Sequence, residues 1–223
     1  MFANHPADRS ADHPADRSAA GSVLGIDPGL TRCGYGAVAG TGARPEAVVA
    51  GVIRTAARLE LAVRLAQLQV EIEALLDDLR PRAVAVERVL FQANVRTAMA
   101  VGQASGVVLA AAARRMIPVA HYSPNEMKLA VTGDGAADKA QVQLMVARQL
   151  RLAAPPASAD AADALGLALC HLSVAPLRDA VAARSANPGK EAHVERSGPS
   201  RLDTAIAAAT ARDRQVRGAR SAR

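Results

Sequence analysis

Two short stretches decide the fold: SVLGIDPG (22–29) and AVAVE (83–87). Residues 22–27 read as a strand and 83–87 as a short strand of the kind buried on both faces, and each strand ends in a carboxylate. Pro28-Gly29 stops the first strand directly behind Asp27. Outward from it, residues 34–40 and 46–54 read as two more strands, with Thr41-Gly42 as the hairpin turn between them. In the helix that follows, Leu61, Leu65, Leu68, Ile72, Leu75 and Leu79 recur at four-three spacing, which makes one apolar stripe. Glu71, Glu73, Asp77 and Asp78 fall mostly off it.

Beyond the 83–87 strand, residues 94–116 form a helix rich in small residues and apolar nearly all round. Such a helix is expected to be covered on two sides, one by the sheet and the other by a second subunit or by the rest of the chain itself. Gly102, Ala104 and Gly106 would let that subunit approach closely. Residues 118–122 supply a fifth strand, and no element is assigned over 123–132. A loop at Gly133-Asp134-Gly135 precedes a helix over about 138–150. Pro155-Pro156 breaks the chain before a last helix over about 160–174. Three strands with hairpin-like links, then alternating helices and strands, predict an α/β fold with a mixed sheet.

The bulk composition bounds the rest. Half of the 223 residues are apolar but only four are aromatic, so the core must be aliphatic. Residues 21–175 carry fifteen basic and thirteen acidic side chains, whereas 176–223 carry ten and five. The charge of +6 therefore sits mostly in the C-terminal tail, and by itself argues only weakly for a polyanion partner. Residues 1–21 contain HPADRS twice, from His5 and from His13, and read as a disordered extension rather than a metal site. Residues 176–223 read as a basic, largely disordered tail, with 202–212 a weak helix and arginines suited to salt-sensitive DNA contact. Cys33 and Cys170 form no motif, which fits a reducing compartment without disulfides. No membrane segment is expected, and a polar N-terminus without an apolar core excludes a secretory signal. The expected location is the cytoplasm.

Four acids are candidates for chemistry. Asp27 stands at the carboxyl end of a strand, where open α/β sheets tend to place ligands, although Asp-Pro-Gly is also an ordinary turn. Glu87 ends a buried strand; Arg88 is a possible partner, but adjacent strand residues point to opposite faces. Asp160 and Asp163, spaced i, i+3, share one face of a helix start, which is also ordinary capping. If the four converge with pairs roughly 5 Å apart, each pair costs about 3 kcal/mol at an effective dielectric near 20. Divalent cations offset that, and Mg²⁺ suits hard carboxylate oxygens. Convergence itself does not follow from periodicity.

The stretches VLGIDPGLTRCGYGAV (23–38), AVERVLFQANVRTAMAVGQASGVVLAAAARR (85–115), VTGDGAADKAQVQLMV (131–146) and ADAADALGLALCH (159–171) closely resemble RuvC-type Holliday-junction resolvases, in the family's order and spacing. The resemblance covers residues 22–175. It implies a ribonuclease-H-like fold with a five-stranded mixed sheet, its first three strands antiparallel, flanked by helices. It also implies that Asp27, Glu87, Asp160 and Asp163 gather as the catalytic site holding two Mg²⁺ ions, for which Mn²⁺ can substitute. Lys139 matches the family lysine that approaches the scissile phosphate, and Lys128 the one that holds the backbone near the junction. They are the only lysines in residues 21–175. The implied partners are four-way junction DNA, a second copy of the chain and the RuvA–RuvB branch-migration complex, with no membrane.

One position departs from the pattern. Where the family usually carries an aromatic that wedges against bases at the crossover, this chain has Leu90, with Phe91 next. Either becomes the candidate wedge, and Arg96 is a further candidate DNA contact. Gly25, Gly29, Gly34 and Gly36 read as positions of close backbone approach. Three rivals compete: an actin-like or sugar-kinase ATPase sharing the D-x-G-x-T loop at 27–31, a YqgF-like nuclease acting on RNA, and a junction binder without catalysis. The first needs two such domains, and the second fits the 85–115 and 131–146 stretches less well. Against the third, all four acids are present.

Overall fold

The computed structural model describes residues 21–88 and 95–186. Its elements are β1 (Val23–Asp27), β2 (Arg32–Thr41), β3 (Arg44–Arg54), α1 (Leu61–Leu79), β4 (Ala83–Glu87), α2 (Val95–Arg114), β5 (Val119–Tyr122), α3 (Pro124–Thr132), α4 (Lys139–Gln149) and α5 (Ala159–Ala186). The strands form one sheet in the order β3-β2-β1-β4-β5. β1, β2 and β3 pair antiparallel, while β4 lies parallel to both β1 and β5. This is the expected mixed sheet.

Two apolar layers cover it, and strand alternation decides which residue joins which. On one face Val23, Val38 and Ala85 pack with Leu165, Leu167 and Leu169 of α5 and with residues of α3 and α4. On the other, Leu24, Ile26, Val84 and Val86 pack with Leu68, Ile72 and Leu76 of α1 and with Ala104, Val108 and Ala111 of α2. Each strand thus serves both layers, which explains why β1 and β4 are continuous apolar runs.

The helices differ from expectation in four ways. In α1 the buried stripe is Leu68, Ile72, Leu76 and Leu79; Leu61 is exposed and Leu75 only half-buried. Among the described residues, the chain itself covers only one side of α2. Ala104 lies on that inner side and cannot serve an outer contact, whereas Gly102 and Gly106 open onto free space and Val95 and Met99 are exposed. The helix α3, absent from the sequence reading, starts at a capping box: the Ser123 hydroxyl accepts from the Glu126 amide, and the Glu126 carboxylate accepts from the Ser123 amide. α5 continues past the expected end at Val174, through Pro176 to Ala186. Pro176 and Leu177 are exposed, so the proline ring itself faces outward on the helix.

Cys33 and Cys170 are buried and form no disulfide with each other. Contrary to the expectation, one stretch, Ala159–Leu177 of α5, is long and apolar enough to cross a membrane by composition. Over half of it is buried in the domain core, and it carries Asp160 and Asp163.

Candidate active site

The site begins with strand parity. In β1, Val23 faces the α5 layer and Leu24 and Ile26 face the α1–α2 layer, so Asp27 points with Val23 toward α5. In β4, Ala85 faces α5 and Val84 and Val86 face away, so Glu87 also points toward α5. The two strands run parallel with Ile26 beside Val86, which sets Asp27 and Glu87 one step further on at neighbouring strand ends. Adjacent strands stand about 4.8 Å apart. Two carboxylates on one face at that spacing are close enough to feel each other strongly.

Glycines admit the third and fourth acids. Gly34 of β2 lies directly across from Asp27. A Cβ at Gly34 would meet the Asp160 carbonyl oxygen at 2.1 Å, and one at Gly25 would meet the Ala164 carbonyl oxygen at 1.9 Å. The first turn of α5 therefore rests on the bare backbone of β1 and β2. That contact brings Asp160 and Asp163 to the end of β1.

The electrostatics record the result. Asp27 is pushed up to about 7, first by burial and then by the charges of Glu87, Asp163 and Asp160, with Lys139 pulling the other way. Glu87 is raised by burial and by Asp163, and Asp163 by burial and by Asp160. Lys139, the first residue of α4 behind the Asp138 cap, lies near enough to lower Asp27, Glu87 and Asp163. The charge of Lys128 in α3 also lowers Asp163. Among the described residues, Arg88 is paired with Glu126, 4.0 Å away, and not with Glu87.

Two networks outside the sequence reading shape this end of the sheet. Arg64 of α1 donates to the hydroxyls of Thr55 (2.9 Å) and Thr31 (2.7 Å), and Thr55 donates to the Leu30 carbonyl (2.5 Å). They pin the turn after Asp27 from behind. Arg32 of β2 donates to Asp160 Oδ2 (2.6 Å) and to the Ser158 hydroxyl (3.1 Å). Neither arginine lies in a recognisable spacing with the acids, so only the folded register reveals them.

The arrangement is an acidic cluster short of positive charge, made of hard oxygen donors, and such a set fits a divalent cation. Among the described residues, no three His, Cys, Asp or Glu side chains already converge on one point as an ion would draw them. Leu90, Phe91, His5 and His13 lie outside the described residues, as does the side chain of Arg96, whose backbone is in the first turn of α2.

The family model for the crossover junction endodeoxyribonuclease RuvC matches residues 23–171. The chain belongs to the RuvC family. The RuvC of Streptomyces avermitilis is 58% identical over 158 residues, which is 70% of this chain and 90% of that protein. The RuvC of Frankia alni is 60% identical over 151 residues, or 67% of this chain and 77% of that one. The solved structure of T. thermophilus RuvC in complex with a Holliday junction substrate superposes with a TM-score of 0.68 at 37% identity, covering 70% of this chain and 96% of that one. The sheet and its flanking helices are thus those of RuvC, a ribonuclease-H-like fold.

Proposed function

We propose that this RuvC chain is a structure-selective, metal-dependent endonuclease that resolves Holliday junctions by paired symmetric nicks, in homologous recombination and DNA repair. The observation that carries the proposal is the gathering of Asp27, Glu87, Asp160 and Asp163 at one end of the sheet, with burial and mutual repulsion raising three of them. Buried carboxylates that are pushed together without matching cations are poorly suited to stability and well suited to holding metal.

Asp27, Glu87, Asp160 and Asp163 would hold two Mg²⁺ ions, with Mn²⁺ able to substitute. Ions so held lower the proton affinity of water and offset charge on the attacking and leaving oxygens of an in-line displacement at phosphorus. Lys139 presents its ammonium to the scissile phosphate, and Lys128, farther out, holds the backbone near the junction. Attack by water on phosphorus, with departure of the 3′ oxygen, leaves 5′-phosphate and 3′-hydroxyl ends. Leu90, Phe91 and Arg96 remain candidate contacts at the crossover.

A four-way junction presents two equivalent strands about a two-fold axis, so paired nicks call for a symmetric homodimer. The uncovered side of α2, with exposed Val95 and Met99 beside Gly102 and Gly106, supports that assembly. RuvA–RuvB would be the partner that delivers the junction, in the cytoplasm. The test is nicking of a synthetic mobile four-way junction beside duplex DNA and RNA, with Mg²⁺, Mn²⁺ or EDTA. Nicks confined to the junction, symmetric and abolished by EDTA, are expected. Cleavage that persists in EDTA, or prefers RNA, would overturn the reading.

A further inference from the structure

Asp160 differs from the other three acids in having a cation of its own. Arg32 Nε lies 2.6 Å and Nη2 2.5 Å from Asp160 Oδ2, and the Ser158 hydroxyl lies 3.3 Å from the same oxygen. Arg32 also donates to Ser158, which closes a three-membered network. Among the described residues, every one of these contacts falls on Oδ2, so Oδ1 keeps its lone pairs for another partner.

The network stands on rigid backbone. Arg32 opens β2 in register with Arg54 of β3, and Gly34, two residues on, is the glycine against which the Asp160 backbone packs. Side chain and main chain of Asp160 are therefore fixed from the same strand. The Arg32 side chain is 42% exposed, and an ion pair that wet contributes little to folding. Its consequence falls instead on where the two oxygens of Asp160 can go.

We propose that Arg32 is the positioning residue of the metal site: together with Ser158 it occupies Oδ2 of Asp160 and reserves Oδ1 for a divalent cation. A carboxylate whose second oxygen is held by hydrogen bonds loses less freedom when it binds metal, and loss of such outer partners typically weakens affinity about 10- to 100-fold. This inference rests on the metal-site reading above.

The test is Mn²⁺ binding to the full chain, read by electron paramagnetic resonance, for the natural protein and for Arg32→Gln, Arg32→Lys, Ser158→Ala and Asp27→Asn. Arg32→Gln is expected to weaken Mn²⁺ binding about 10- to 100-fold, while its melting temperature in EDTA stays close to that of the natural protein. Its junction nicking should recover as Mn²⁺ is raised, so the metal requirement shifts more than the maximal rate. Arg32→Lys, which keeps the charge but not the fork, should lie between. Ser158→Ala should weaken binding roughly three- to tenfold, the range for one hydrogen bond. Unchanged affinity in Arg32→Gln overturns the proposal; tighter affinity does too, and would make Arg32 a competitor of the ion. If Arg32→Gln does not fold, Arg32→Lys and Ser158→Ala decide by the same criterion. If the natural protein binds Mn²⁺ no better than Asp27→Asn, the metal reading itself fails and this one falls with it. Binding by the natural protein that Arg32→Gln fully retains strikes Arg32 alone.

Discussion

Asp27 and Asp77 belong to one domain and carry the same side chain, yet their surroundings drive them in opposite directions. Asp77 lies on the outer face of α1, where Arg115, one residue past the end of α2, donates to both of its oxygens at 2.7 Å and holds it below the usual carboxylate range. Nearby, Arg114 pairs with Glu73 at 3.1 Å. Asp27, at the end of β1, is buried among Glu87, Asp163 and Asp160 and is pushed up to about 7. The α1–α2 surface matches its charges; the end of the sheet withholds them. Where a fold buries acids together with fewer cations than carboxylates, stability has been set aside for a task.

The largest expected effect breaks this comparison at its centre. Asp27→Asn keeps the shape of the side chain and removes the charge, so junction nicking should fall by at least about a thousandfold, equivalent to some 4 kcal/mol of transition-state stabilisation. Junction binding, measured by gel shift at fixed salt, should change by less than about threefold, because phosphate contact rests on the basic residues. Nicking near the natural rate would show that Asp27 holds nothing the reaction needs.

Next in size is a pH dependence of the metal-free protein. The carboxyl of Asp27 titrates at 3.8 in the unfolded chain and at about 7 in the fold, so across that window the folded state binds the extra proton. Its contribution to stability is complete below the unfolded value, falls as pH rises, and is lost above the folded one. Glu87 and Asp163 are raised too and act with the same sign. Denaturant unfolding in EDTA should therefore show stability decreasing from pH 4 to pH 7 by about 4 kcal/mol at most from Asp27. Asp27→Asn should remove most of that slope. Mg²⁺ should flatten it, because an ion competes with protons for the same oxygens. A metal-free protein that gains stability over this range would contradict the crowding of the acids.

Much of this was legible in the chain. Apolar runs ending at Asp27 and Glu87 gave the two central strands, the 41–42 turn gave the hairpin, and collinear motifs named the four acids. What brings the acids together was not legible, because it depends on pairing between segments far apart in sequence. Period-2 parity sends Asp27 and Glu87 to one face only once Ile26 is known to lie beside Val86. Arg32 acquires its partner across 128 positions, and Arg64 acquires Thr31 across 33. No local pattern encodes such distances. The missed helix α3 is different: Ser123-Pro124 with Glu126 is a start signal that stood in plain view. Pro176 misled in the opposite sense, since a proline at an exposed position did not end α5.

The glycines extend the comparison to packing and give a third prediction. Gly25 touches the α5 backbone, whereas Gly102 of α2 has nothing within 4 Å of an added Cβ. Gly25→Ala must push α5 off the sheet, and should destabilise by on the order of 2–3 kcal/mol while reducing nicking, since Asp160 and Asp163 move with the helix. Gly102→Ala should leave the fold of the single chain intact or strengthen it by about 0.5–1 kcal/mol, as an alanine does in an exposed helix. Measured over a range of protein concentrations, the same variant also tests the proposed dimer: weaker self-association than the natural protein points to a close helix approach at α2. Equal stability loss at both glycines would refute the contrast.

The smallest effect is expected where the charges are best paired. Asp77 is exposed, and Arg115 gives it two short hydrogen bonds. Good geometry does not make such a pair strong, because water screens both charges and two side chains must be held still. Asp77→Asn should leave the melting temperature unresolved from that of the natural protein at moderate salt, and any difference seen at low salt should vanish as the Debye length shortens. Nicking and Mn²⁺ binding should not move at all, since Asp77 contributes no charge to Asp27, Glu87 or Asp163. If Asp77→Asn slowed nicking, coupling would have to pass from α1 through the sheet, and the separation of a structural face from a chemical end would be wrong. If it were silent while Asp27→Asn was inactive, two aspartates of one fold would differ in consequence by the full range that their surroundings imply.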